Sequence, residues 1–201
     1  MDAETDKDME ADWSAEIGPG LPEICVPWEG FVDLRLAPEE LQTIPEAARS
    51  PGLAKALASL NGEGSPVFTA KCDLWSLGHA EIDPDEFDAV PEDARCGVAS
   101  YIDLLPRDYQ NLSSFTVRES WAKELVAYLR KKNMKNGRVD LVIRTAVVSG
   151  HEAFGITLYA AGCGPDTVNA QANWEAVLTA AVLATIETPG APSPAGPLTG
   201  E

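Results

Sequence analysis

Two stretches of strict alternation, followed by one long apolar-faced helix, restrict this chain more than any other feature. In Arg138-Val139-Asp140-Leu141-Val142-Ile143-Arg144, the side chains of Val139, Leu141 and Ile143 fall on one side. Phe154, Ile156, Leu158 and Ala160 repeat the pattern after a Ser149-Gly150-His151-Glu152 turn. A period of two marks a half-buried strand, and the turn between makes the pair a hairpin. Gly164-Pro165-Asp166 then opens a helix, since proline at a first helical turn forfeits no needed hydrogen bond. Val168, Ala172, Leu178, Ala181, Val182 and Ile186 form its broad apolar face.

The upstream chain supplies the remaining layers. Strands are expected over about 24–36, 66–77 and 95–105. In the second of these, Phe68, Ala70, Cys72 and Leu74 should face one way. Ser50-Pro51 reads as a helix cap and first helical residue, with Leu53, Ala54, Leu57 and Leu60 as the stripe and Asn61-Gly62 as the stop. Thr116 with Glu119 makes a capping box for a helix carrying Trp121, Leu125, Tyr128 and Leu129. The order is β-α-β-β-α-β-β-α. It predicts an α+β domain with a mixed, mostly antiparallel five-stranded sheet and about three helices on one face.

The chain has 201 residues and a net charge of −17. That charge is concentrated in two places. Residues 1–16 carry −6 and residues 79–93 carry −7, leaving the rest near neutral. Residues 1–17 are therefore expected to be a disordered acidic tail, 18–187 a single domain with an acidic loop at 78–94, and 188–201 a disordered Pro/Gly-rich tail. A basic run, Arg130, Lys131, Lys132, Lys135 and Arg138, forms the opposite pole. No apolar run is long enough to span a membrane, and the acidic N-terminus lacks a signal-peptide pattern, so a cytoplasmic protein is expected.

Local motifs for catalysis are weak. His79-Ala80-Glu81 matches half of the zinc-deaminase pattern, but the Pro-Cys-x-x-Cys half is missing. Cys25, Cys72, Cys96 and Cys163 are widely spaced with no CxxC pair, so reduced thiols and no metal are expected. Asp83, Asp85 and Asp88 offer oxygen ligands without the glycine and glutamate of a calcium loop. Cys163 before a helix can be activated, but His151 lies at the far end of the intervening strand. The basic run has no aromatic for base stacking, and the overall charge repels nucleic acid.

No catalytic residue, metal or cofactor is assigned from these motifs. The leading expectation is a non-enzymatic binding or regulatory protein, of immunity or inhibitor type, that engages a basic protein through its acidic segments. The binding residues would be Asp83, Asp85, Glu86 and Asp88, with Trp13 and Phe87 as apolar anchors. The alternative is an enzyme or small-ligand binder with a site near Cys163, or around Cys72 and the 78–94 loop.

Overall fold

Alternation in the hairpin strands and burial on the long helix together build the centre of the molecule. The computed structural model describes residues 9–107 and 112–188. The strands are β1 (Glu10–Glu16), β2 (Ile24–Val26), β3 (Val67–Leu77), β4 (Cys96–Pro106), β5 (Gly137–Val148) and β6 (His151–Gly164). The α-helices are α1 (Pro45–Arg49), α2 (Pro51–Asn61), α3 (Phe115–Leu129) and α4 (Thr167–Glu187). The α+β expectation holds, with six strands rather than five.

The sheet runs β1-β5-β6-β4-β3. The β3/β4, β4/β6 and β5/β6 pairs are antiparallel, while β1 and β2 both pair with β5 in parallel. β1 lies along Arg138–Arg144 and β2 along Ala146–Val148, so two short strands line one edge of β5 end to end. Val139, Leu141, Ile143, Ile156, Leu158 and Ala160 point into the main core, where α3 and α4 pack on these strands and residues of α1 and α2 complete the cluster. Among the described residues, no helix is long and apolar enough to cross a membrane.

Several expectations are corrected. Residues 10–16 were read as part of a charged tail, yet they form β1. Met9, Ala11, Trp13 and Ala15 alternate with Glu10, Asp12, Ser14 and Glu16, and Met9 is only 1% exposed. Residues 1–8 and 189–201, the remainder of the two expected tails, lie outside the described residues. The strand expected over 24–36 stops at Val26. Gly30 then takes a φ of 88°, and Asp33 accepts a hydrogen bond from the Arg35 backbone, which turns the chain.

Ser50 caps α2 as expected, accepting from the Leu53 amide. The helix expected to be capped by Thr116 is capped two residues earlier, by Ser114 accepting from the Val117 amide. On α4 the inward stripe is rotated. Ala170, Trp174, Leu178, Ala181 and Thr185 are buried, while Val168 is 77% exposed. The bulk of Trp174 decides that rotation, because its indole fills the core and donates to Ser100 Oγ at 2.9 Å. Gly162 makes room for it: a Cβ there would stand 2.2 Å from the Trp174 backbone nitrogen.

Candidate functional site

Among the described residues, the sheet face turned away from the helices is covered at its two ends. At one end, the segment after β3 folds over Cys163, Leu77 and Ala161 through Ile82, Phe87 and Ala94. At the other, Ile24 and Val26 of β2, with Phe31 and Leu112, pack together with Phe68, Leu105, Ala146, Val148 and Ala153. A strip of sheet lies between these two covers.

Strand register determines what the strip presents. Asp73 on β3 pairs with Tyr101 on β4, Tyr101 with Tyr159 on β6, Tyr159 with Asp140 on β5, and Asp140 with Asp12 on β1. Residues paired across strands share a face. One row across five strands therefore reads Asp73, Tyr101, Tyr159, Asp140, Asp12. The two phenol rings are 6.0 Å apart, and Trp75 adds a third ring 6.4 Å from Tyr101. Trp75 is 37% exposed, and the two tyrosines are half-buried.

A buried polar chain runs beside this row on the same face. Arg144, with 8% of its side chain exposed, donates from Nη1 to Glu16 at 2.6 Å and from Nε to Thr157 Oγ1 at 3.0 Å. Its Nη2 donates to the Tyr159 hydroxyl at 3.3 Å. Thr157 passes the chain on by donating to Asp103 at 2.6 Å. Arg144, on the same face as Asp140, thus positions Tyr159 from the side. Burial, together with Asp103 and Asp73, pushes the Tyr101 hydroxyl above its ordinary pKa.

Both acidic stretches converge on this face. Arg138 bonds Asp140 at 2.6 Å, meets Glu86 at 3.3 Å and feels Asp12, and these acids hold its pKa up. Asp12 also lies 3.8 Å from Arg130, whose Nε donates to the Ala11 carbonyl. Part of the basic run is therefore already engaged by β1.

The expected binding residues are divided by the fold. Asp83, Asp85 and Glu86 are exposed and Asp88 is half-buried, all at one end of the strip. Phe87, expected as a partner anchor, is 5% exposed and instead holds the acidic segment to the sheet. Trp13 points to the helical side of β1, packed against the core with the Lys123 ammonium 5.0 Å from its ring. Tyr101, Tyr159, Trp75, Asp73, Asp140 and Asp103 were missed. Their outward strand positions are visible in the sequence, but their alignment across strands is not.

The alternative site residues do not converge. Cys163 is fully buried, and burial followed by Asp93 pushes its thiol to about 11. His151 sits at the opposite end of β6. His79 bonds the Ala94 carbonyl at 2.9 Å, tying the start of the acidic segment to its end, and Glu81 accepts from the Gly78 amide and braces its own turn. The cavity that reaches Cys72 contains no residue of 78–94. Among the described residues, no cluster of three or more His, Cys, Asp or Glu side chains is arranged to hold a metal.

The buried carboxyl of Asp103 gives a signed pH prediction. Burial raises its pKa from the ordinary 3.8, against the opposing effects of the Thr157 hydrogen bond, Arg144 and Lys71. A raised folded-state pKa contributes stability that is complete below the unfolded value and is lost as pH rises through the folded one. Asp103→Asn mimics the protonated acid. The wild type should therefore match this variant in urea unfolding at acid pH and become progressively less stable than it as pH is raised towards neutral. A difference that is flat with pH would remove Asp103 from this role.

No family model matches this chain, and no curated protein or solved structure matches it.

Proposed function

We propose that this is a non-enzymatic cytoplasmic binding protein, of immunity or inhibitor type, that holds a basic protein segment across the open sheet face. The supporting observation is the row Asp73, Tyr101, Tyr159, Asp140, Asp12, with aromatic rings in the middle and carboxylates at both ends. Aromatic faces attract lysine and arginine cations, and surrounding acids strengthen that attraction and steer encounter. The 78–94 segment adds Asp83, Asp85 and Glu86 at one end, as electrostatic guides with no anchoring role for Phe87 or Trp13.

Titration with an array of Lys- and Arg-containing peptides and their norleucine- and citrulline-substituted counterparts tests this reading. Tyr101→Ala and Trp75→Ala should each weaken binding of a selected basic peptide by about tenfold or more. Neutralising Asp83, Asp85 and Glu86 together should mainly slow association at low salt. Binding that is equal for the neutral counterparts, or indifferent to both aromatic substitutions, would overturn the proposal.

A further inference from the structure

β3 carries one extra residue in its pairing with β4. Thr69 pairs with Leu104 and Cys72 with Ile102, so three steps on β3 match two on β4. Such a bulge re-aims the side chains that follow it. Phe68 and Ala70 pack on the open-face side, whereas Cys72 and Leu74 pack towards the helical core. A cavity of about 330 Å³ occupies the edge beside this bulge, between the 28–32 turn and α1. That volume lies in the range of small-molecule sites.

The cavity has a fixed apolar body and a charged mouth. Val32, Ile44, Leu57 and Cys72 line the body, and Trp28 and Tyr101 provide aromatic walls. Trp28 is held in place: its indole N–H donates to the Ala70 carbonyl at 3.3 Å, and its ring packs on Phe31 at 6.4 Å. The Lys71 ammonium stands 5.3 Å from the Trp28 ring. Among the described residues, Lys71 forms no ion pair. The other charge at the wall, Glu46, is paired with Arg49 at 3.3 Å.

We infer that this cavity is a separate small-molecule site for a monocarboxylate with an apolar, ring-bearing body. The carboxylate would meet Lys71 and the ring would enter between Trp28 and Ile44. A cation at the mouth of an apolar pocket selects the anionic member of a series, because an apolar body alone discriminates weakly. Cys72 serves as floor rather than nucleophile. Burial, with Glu46, Asp73 and Asp103, pushes its thiol to about 12, far from the reactive thiolate. This inference does not rest on the basic-partner reading, although Tyr101 lines both sites.

Naphthoate, with naphthylmethanol as its neutral match, is a suitable probe pair, read by quenching of tryptophan fluorescence and by ligand-observed NMR. Naphthoate should bind saturably and about tenfold more tightly than the alcohol, the preference expected of one desolvated charge pair. Lys71→Met, at an exposed position, should erase that preference and leave the alcohol unchanged. Thr43→Trp, also at an exposed position on the cavity wall, should block both ligands while the thermal unfolding curve stays intact. Equal binding of acid and alcohol, a preference that survives Lys71→Met, binding that survives Thr43→Trp, or no saturable binding would each overturn the assignment.

Discussion

Deletion of residues 1–17 is expected to destabilise the domain by roughly 5 kcal/mol or more and to promote aggregation, despite the high charge of this segment. Met9 is almost completely buried, and such a side chain contributes about 1.5–3 kcal/mol. Ala11 is 3% exposed, and all of β1 is hydrogen-bonded to β5. The Glu16–Arg144 pair adds only about 1 kcal/mol, because Glu16 is 45% exposed and solvent screens it. Without β1, Arg144 loses its Glu16 partner, and β5 gains an open edge that invites pairing with other chains. Circular dichroism melts and sedimentation of the shortened chain check this. Limited proteolysis of the full chain should leave residues 9–17 attached. A shortened chain that melts like the full one and stays monodisperse would show that β1 is dispensable.

Trp174→Ala should have the other large effect, about 4–6 kcal/mol in urea unfolding. Truncating a fully buried tryptophan costs about 3–5 kcal/mol in lost transfer energy and cavity formation. The variant also leaves the buried Ser100 hydroxyl without the indole donor, which adds about 1 kcal/mol. Gly162→Ala probes the same contact from the sheet side, since its new methyl would press directly on the α4 backbone. Leu183→Ala, on the exposed side of α4, should change stability by no more than about 0.5 kcal/mol and serves as the control. A cost below about 2 kcal/mol for Trp174→Ala would mean that the helix is held mainly by other contacts.

The parts of the fold readable from sequence were those with a sustained local period. β5 and β6 announce themselves by alternation, α2 by its Ser50-Pro51 start, and α4 by length and apolar content. β1 has the same alternation in Met9, Ala11, Trp13 and Ala15, but its acid content reads more strongly as a solvated tail. Only β5, far along the chain, supplies the partner that makes its burial favourable. The bulge in β3 was also hidden, because continuous alternation from Phe68 to Leu74 gives no sign of the extra residue. Phe87 illustrates a third limit: Ile82, Phe87 and Ala94 have no regular spacing, and their common target is Cys163 on another strand. The Tyr101–Tyr159 row depends on register between β4 and β6, which no local pattern encodes.

The parallel pairing of β1 with β5 also sets a timetable for biosynthesis. β1 is the first described strand to leave the ribosome, yet Glu16 meets Arg144 across 128 residues of sequence. At about 5–20 residues per second, the nascent strand waits roughly ten seconds for its template. During that interval Met9, Ala11 and Trp13 have no core to enter. Glu10, Asp12 and Glu16, interleaved with them, keep the waiting strand hydrated and mutually repelling between neighbouring chains. The acids that later border the open face thus first act as gatekeepers on an unfinished polypeptide.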